Sequence, residues 1–406
     1  VDGDELPIRR SRGDAPCPLP LPFSCPEPIL ACGGQLKAVF ALGRQRQAIL
    51  SHHLGDLDHL AAWEAYQRDV RLYRELFRFR PAVLVHDLHP DYATTRWAEQ
   101  QARQQGLRCF AVQHHHAHLA SCLAEHGSTG PAIGVTFDGT GFGTDGAIWG
   151  GEFLVGDYCR FHRAAHLRYV PMPGGEQAIR EPWRMALAHL RDAQVSLPTW
   201  EQALDDAAVA GVERLLQRRV ASPLTSSMGR LFDAVASLLG LAHQAAHEGQ
   251  AAMHLEWLAE RSVELGEYPF DFVLKNGILE IDPRPVIAAV ARDIQQNVEA
   301  AIIARRFHNG IAEMIAQVCC RLRKITGIDL VVLSGGVFLN ALLTCRSVAR
   351  LRQRGFRVYR HRRVPPGDGG LSLGQLAVAA ACLAGDSACA SACPERSSKP
   401  TANTTC

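Results

Sequence analysis

The sequence predicts a two-lobed α/β protein with a ligand cleft between the lobes, and three observations carry that expectation. Short apolar runs that end in polar residues alternate with amphipathic helical stretches, as strands and helices packed in layers require. A strand, glycine turn, strand arrangement occurs twice, over 29–42 and 132–150, as an internal duplication would produce. The 406 residues, 47% of them hydrophobic, also exceed the roughly 250 to 300 that one core organises.

Taken in order, Ile29–Cys32 reads as a buried strand, Gly33–Lys37 as a glycine turn and Ala38–Leu42 as the returning strand. Leu57–Phe77 has helical spacing, and Ala82–Asp87 is a buried-strand run closing on the polar pair His86–Asp87. Arg96–Gln105 is helical, Cys109–Val112 a strand and His115–Glu125 a helix. The second lobe opens with the strand Ala132–Phe137, runs through Asp138-Gly139-Thr140-Gly141 and returns over Gly146–Gly150. Arg180 to about Ala259 and Val286–Ile325 are predominantly helical. Leu330–Leu333 then enters Ser334-Gly335-Gly336-Val337, and a closing helix over Leu371–Ala384 follows Gly367-Asp368-Gly369-Gly370.

The expected division is a first α/β lobe over 28–128 and a second over 129–367 with a helical insertion at about 180–325. The closing helix, 368–385, is able to pack with the first lobe. The chain opens at Val1 with a basic strip, Pro7–Gly13, and a proline-rich stretch, Pro16–Pro28, so 1–27 is expected to be the remnant of an upstream domain and its linker. The Ser/Thr/Ala/Pro-rich end, 386–406, is expected to be a disordered tail.

Lys+Arg at 43 against Asp+Glu at 41 leaves a net charge of +2, unlike the basic balance of a nucleic-acid binder. No apolar run approaches the ~18 residues of a membrane span, and no signal peptide opens the chain, so a cytoplasmic location is expected. The 13 cysteines are odd in number and scattered, with Cys319 and Cys320 adjacent in an apolar run. That pattern is of reduced core residues, and no CxxC pair exists to complete a zinc knuckle.

The sharpest local signal is Gln113-His114-His115-His116-Ala117-His118 between a strand and a helical pattern. His114 and His118, four apart on a helix, present both imidazoles on one face at a spacing that suits one metal ion. A polyhistidine surface patch is the competing reading. Asp138 and Asp368 are the best-placed carboxylates to complete such a site, each beside glycines after a strand, although each reads equally well as a turn or cap residue. Two imidazoles and a carboxylate would suit Fe(II) or Zn with open positions for a ligand oxygen.

Glycine turns at Gly33-Gly34 with Lys37, at Asp138-Gly139-Thr140-Gly141 and at Ser334-Gly335-Gly336 are expected to cradle phosphate oxygens through their amides. Neither a P-loop nor a dinucleotide-binding glycine fingerprint is present. Arg230 and Glu248 lie in apolar helical surroundings and fit a core or a cleft position alike. No Ser-His-Asp or Cys-His order stands out, so transfer by positioning and electrophilic activation is favoured over a covalent intermediate.

In one order along nearly the whole chain, the segments Arg9-Arg10-Ser11-Arg12-Gly13, Gly34-Gln35-Leu36-Lys37, His52-x-x-Gly55-Asp56-Leu57, Val112–His118, Asp138-Gly139-x-Gly141, Gly249–Ala252, Ser334–Phe338-x-Asn340 and Asp368–Gln375 resemble the transferase region of HypF-type carbamoyltransferases. The resemblance implies the actin, heat-shock chaperone and sugar kinase fold (ASKHA), a duplicated ribonuclease H-like α/β architecture with helical insertions. It puts His114, His118 and Asp368 on metal positions with Asp138 beside them. It also puts Gly33, Gly34, Lys37, Asp138, Gly139, Gly141, Gly335, Gly336 and Asn340 on the nucleotide loops. The implied activity is carbamoyl transfer from carbamoyl-adenylate to the C-terminal cysteine of HypE, supplying cyanide for the [NiFe] hydrogenase centre. The cofactors are a divalent metal, iron or zinc, and ATP, AMP or carbamoyl-adenylate, with magnesium admissible alongside the nucleotide.

An upstream YrdC-like domain is the implied partner within the full-length protein, and the acylphosphatase-like, zinc-finger and YrdC-like regions are expected to be missing here. One departure stands out: the family's Gly-x-Glu-Leu-Lys-Asn reads Gly33-Gly34-Gln35-Leu36-Lys37-Ala38. Competing readings are O-carbamoyl transfer, tRNA threonylcarbamoyl transfer on the same fold, and a nucleotide-gated binding module without catalysis.

Overall fold

The computed structural model describes residues 5–11 and 13–385; the expected tail at 386–406, with Cys389, Cys393 and Cys406, lies outside them. The first lobe holds β1 (Leu19–Ala31), β2 (Ala41–Leu50), α1 (Leu60–Leu76), β3 (Val83–Asp87), α2 (Ala93–Gln105), β4 (Arg108–Val112) and α3 (His114–Glu125). In the second lobe β5 (Ala132–Phe142), β6 (Ile148–Gly156), β7 (Phe161–Leu167) and β8 (Val170–Pro171) lead into α4 (Gln177–Arg180), α5 (Trp183–Asp192), α6 (Pro198–Glu201) and α7 (Asp206–Arg218). β9 (Leu224–Thr225), α8 (Met228–Leu238), α9 (Gln250–Glu260), β10 (Asp271–Lys275) and β11 (Ile278–Asp282) follow. The chain closes with α10 (Arg284–Gln295), α11 (Ala300–Thr326), β12 (Leu330–Ser334), α12 (Ala341–Gln353), β13 (Arg357–Arg360) and α13 (Leu371–Ala384).

The duplication is visible in the strand order. The second sheet contains the run β7-β6-β5-β12-β13, an antiparallel meander followed by two parallel strands, which is the ribonuclease H-like plan. The first sheet, β2-β1-β3-β4, repeats it without a third meander strand: β1 and β2 are antiparallel, and β3 and β4 continue in parallel. Crossovers through α2 and α12 join the parallel pairs β3/β4 and β12/β13, as that geometry demands.

Two expectations need correction. Residues 19–27 are not a linker: they are the first part of β1, with Leu19, Leu21 and Cys25 buried. The prolines are tolerated there because only β2 borders this stretch, β3 joining at Ile29–Ala31, and the ladder shifts register between Pro20 and Cys25 and again before Ile29. Upstream, Arg10 is buried and donates to the carbonyl oxygens of Arg363, Asp14 and Cys17, so this segment packs on the second lobe. The insertion at about 180–325 is also not wholly helical, since β10 and β11 form an antiparallel hairpin within it. Its signal was Asn276-Gly277, both at positive φ, the pair that a two-residue hairpin turn prefers.

One core lies between the sheets and positions everything that follows. α3 and α13 fill it, sharing an apolar cluster with Ile29 and Val85 of the first sheet and Leu154 and Val332 of the second. α13 is apolar on nearly all sides and buried from Leu371 to Ala380, as a helix walled in by neighbours must be. Outer cores lie beneath α1 and α2 in the first lobe and beneath α5, α8 and α11 in the second. Among the described residues no helix is long and apolar enough to cross a membrane.

Candidate metal centre

The polar chemistry gathers at the carboxyl ends of the parallel strands, where open α/β sheets hold their ligands. Gln113, following β4, caps α3: its Oε1 accepts from the His116 N–H at 2.9 Å. The cap fixes the first helical turn, so His114 and His118 share one face. Their Nε2 atoms lie 3.2 Å apart. Asp138 Oδ2 is 3.3 Å from His114 Nε2 and 3.0 Å from His118 Nε2. Asp368 Oδ1 stands 3.7 and 3.9 Å from the same two nitrogens. One ligating atom from each of the four falls within 4.8 Å of the others, and all four residues are buried.

Asp138 sits inside β5 rather than in the turn expected of it. The pairing with β6 shifts register between Phe137 and Gly141, and such a bulge re-aims side chains toward a site. Asp368 opens a single 3-10 turn that leads into α13.

The donor set fits a divalent cation. His114 Nδ1–H donates to Asp87 Oδ2 at 2.8 Å, which leaves the Nε2 lone pair facing the cluster. That lone pair meets a second imidazole nitrogen and a carboxylate oxygen, an arrangement that needs positive charge at its centre. Without a cation, protons supply part of it. Burial opposes charge on His114, but Asp87, Asp138 and Asp368 together push its pKa well up. Burial keeps the His118 imidazole below its ordinary value. Asp138 is held well below the carboxylate range, the two histidines outweighing its burial. Burial and the neighbouring Asp138 charge push Asp368 up to about 7. A metal ion and these protons compete for the same lone pairs.

Asp87 is the residue that sequence reasoning missed. It is fully buried at the end of β3 and also accepts from the His89 N–H at 2.9 Å. Its signal was present, a carboxylate ending an otherwise apolar strand. Asp87→Asn is expected to weaken divalent-metal binding about 10- to 100-fold, the usual effect of removing a carboxylate behind a histidine ligand. Competition with a chelator measures it, and unchanged affinity would remove Asp87 from the site.

The glycines act differently from expectation. The amides of Gly33, Gly139 and Gly335 are already bonded within the chain, to Gln375 Oε1, Asp138 Oδ1 and the Pro366 carbonyl. Those three are not free to cradle phosphate. What the glycines contribute is the absence of a side chain. A Cβ on Gly336 would stand 2.9 Å from Asp138 Oδ1, and one on Gly141 2.9 Å from His114 Cδ2. One on Gly34 would meet Asp368 Oδ2 at 3.5 Å. Asn340 is committed too: its Oδ1 caps α12 at the Leu343 N–H, and its amide donates to His308 Nε2.

Glu248 proves to be a cleft residue, and Arg230 lies buried just behind Gly139. A Cβ on Gly139 would lie 3.2 Å from Glu248 Oε1 and 3.6 Å from Arg230 Nη2. Arg230 is buried and pairs with Asp233 at 2.9 Å, while its Nε and Nη1 have no partner among the described residues. Burial pushes the Asp233 carboxyl up to about 6, against the pull of Arg230. Lys37 Nζ reaches across from the first lobe to Glu248 Oε2 at 2.7 Å. Both side chains are a third or more exposed. Glu248→Gln is therefore expected to shift stability by no more than about 1 kcal/mol, read from a urea midpoint. A larger loss would show that this pair holds the lobes together.

Beside the cluster opens a cavity of about 460 Å³, lined among others by His89, Tyr92, Gly141, Arg180 and Glu248. His89 and Tyr92 stack with centroids 4.2 Å apart and form one flat wall. Gln35 fixes its rim: the amide donates to Asp58 Oδ1 and accepts from the Ala93 N–H. A glutamate at that position would not donate to Asp58.

Two family profiles match the chain, the HypF Kae1-like domain over residues 24–125 and the carbamoyltransferase Kae1-like domain, second subdomain, over residues 134–375. The chain belongs to the HypF carbamoyltransferase family. It is 40% identical to carbamoyltransferase HypF2 of Cupriavidus necator, over 93% of this chain and 50% of that protein. A shorter HypF homolog from the same organism is 36% identical, over 87% of this chain and 91% of its own length. A full-length HypF solved in its phosphate- and nucleotide-bound form superposes with a TM-score of 0.91 at 39% identity, over 95% of this chain and 50% of that one. The chain thus spans about half the length of the first HypF relatives it matches.

Proposed function

We propose that this chain transfers a carbamoyl group from carbamoyl-adenylate to the C-terminal cysteine thiol of HypE, in the biosynthesis of the cyanide ligand of the [NiFe] hydrogenase centre. The observation that carries this reading is the buried four-ligand cluster opening onto a cavity large enough for a nucleotide. His114, His118, Asp138 and Asp368 would hold the metal, iron or zinc, with Asp87 fixing the tautomer of His114. When bound, a divalent metal supplies Lewis acidity to phosphoryl and carbonyl oxygens. The solved HypF in its nucleotide-bound form supports an adenylate as the occupant of the cavity.

The chain's own residues position the donor. The buried Arg230 guanidinium behind Gly139 supplies positive charge near the donor, and the Tyr92–His89 stack offers a flat aromatic face. In the transfer, the thiolate sulfur forms a bond to the carbonyl carbon while the bond from that carbon to the phosphate oxygen breaks. AMP leaves with the electron pair, and the thiol proton passes to solvent. No side chain needs to carry the carbamoyl group covalently. An upstream YrdC-like domain would make the adenylate in the full-length protein.

The test supplies purified chain with synthetic carbamoyl-adenylate and HypE and follows the mass of the HypE C-terminal peptide. Carbamoylation that depends on metal supports the reading. Carbamoylation of a small alcohol or of tRNA instead of HypE would replace the acceptor, and tight nucleotide binding with no transfer to any acceptor would reduce the chain to a binding module. The net charge of +2 counts against tRNA.

A further inference from the structure

Behind the cluster lies a second constellation that the transfer chemistry does not use. Ser334 Oγ is 2.9 Å from His361 Nε2, and His361 Nδ1 is 2.9 Å from Glu125 Oε2. The Glu125 carboxylate can only accept, so Nδ1 donates to it and, in the neutral imidazole, Nε2 accepts from the Ser334 hydroxyl. Burial would raise the Glu125 carboxyl, but His361 and the Arg362 and Arg363 amides outweigh it and hold it below its ordinary value. The order serine, histidine, carboxylate is that of a hydrolase triad. Ser334 is nevertheless wholly buried beneath the Gly335–Gly336 loop, so no acyl group reaches its oxygen.

The partners of the three residues point to another role. Glu125 ends α3, the helix whose first two turns carry His114 and His118. A carboxylate at a helix C-terminus is disfavoured by the helix dipole, so its place there calls for compensation. Compensation comes from His361 and from the backbone N–H groups of Arg362 and Arg363, which donate to Glu125 Oε1. Those residues begin the irregular segment 361–367 that delivers Asp368. The segment runs back along α3. Pro366 O accepts from the Gly335 N–H at 2.8 Å, and Ser121 Oγ of α3 donates to Gly370 O at 2.8 Å. The Asp368 carboxylate and the two imidazoles are therefore mounted on one helix, the histidines at its start and the aspartate's tether at its end.

We propose that Glu125, His361 and Ser334 are positioning residues: their hydrogen-bonded relay sets the Asp368 carboxylate against His114 and His118 and thereby sets the affinity of the cluster for a divalent cation. The inference rests on the metal reading above. It predicts that the relay acts through Asp368 and not through general stability, because each of its bonds terminates on the segment that ends there. Loss of one bond loosens that segment at its start, while the Gly335 and Ser121 bonds still hold its end, and a carboxylate displaced by more than about 0.5 Å no longer completes a preorganised site.

The test is a double-mutant cycle read as zinc affinity, by chelator competition on the purified chain, with no substrate present. His361→Gln is expected to weaken zinc about 10-fold, the low end of what removing a ligand's own partner does, because His361 acts on Asp368 through the segment between them. Asp368→Asn weakens it as well, and the double variant should bind no worse than Asp368→Asn alone. Ser334→Ala, which deletes a single oxygen, runs the same cycle and serves where His361→Gln does not fold. Multiplying losses in the double variants, or full affinity in the single relay variants, would overturn the inference while leaving the metal site intact. A parent chain that takes up no zinc, or a His114→Ala variant that binds as tightly as the parent, would overturn the metal reading and the relay with it.

Discussion

His114→Ala should lose its metal altogether under conditions where the parent chain keeps it. The substitution removes a ligand itself, so the loss is expected to exceed the roughly 10- to 100-fold that follows from disturbing an outer-shell partner. It also leaves two buried carboxylates short of a partner, since His114 lies 2.8 Å from Asp87 Oδ2 and 3.3 Å from Asp138 Oδ2. Breaking a buried pair by deleting one member costs about 3 to 5 kcal/mol, so the metal-free variant should also unfold at markedly lower denaturant. His116→Ala is the matched control. That imidazole is equally buried, but its Nε2 bonds the Asp157 carbonyl at 2.7 Å, outside the cluster. It should lose stability and keep metal. Elemental analysis of the two purified variants decides the matter, and equal metal in both would end the ligand assignment.

The second large effect is expected far from any ligand, at Gly374→Val. α13 approaches α3 so closely that a Cβ at residue 374 would overlap the Ala117 carbonyl oxygen and crowd its carbonyl carbon. Backbone cannot yield as a flexible side chain would. The helices must separate, and both carry the site: Asp368 opens the turn into α13, and His114 and His118 lie on α3. Overpacking of this kind costs about 1 to 3 kcal/mol, occasionally more. The spread of the helices also pulls the aspartate from the imidazoles, so metal affinity should fall together with the urea midpoint. A variant that keeps both would mean that α13 can slide without moving Asp368.

Much of this site was legible before any coordinates. The i, i+4 spacing of His114 and His118 following a strand is a local property, and local periodicity survives folding wherever a cap such as Gln113 supports it. The closing helix was equally plain, because Leu371–Ala384 is apolar but for Ser372 and Gln375. Errors arose where a residue's role depends on its neighbours in space. Pro20 and Pro22 look like linker residues until the strand beside them is known to pair on one side only. Gly33 and Gly335 looked like phosphate cradles, but both sit at positive φ with their amides bonded inside the chain. The Asn276-Gly277 turn carries a hairpin signal of its own, set between helical stretches.

By itself the sequence determined the two-lobed α/β class, the histidine face and the candidate carboxylates, because periodicity, capping and glycine placement act over a few residues and leave a linear trace. Only the tertiary structure decided that Asp138 and Asp368 meet those histidines, that Asp87 orients one of them and that Glu125, His361 and Ser334 stand behind the cluster. These partners come from separate strands and from opposite ends of the chain. They converge because two sheets bury a common pair of helices, and no local pattern records which distant residues that burial brings together.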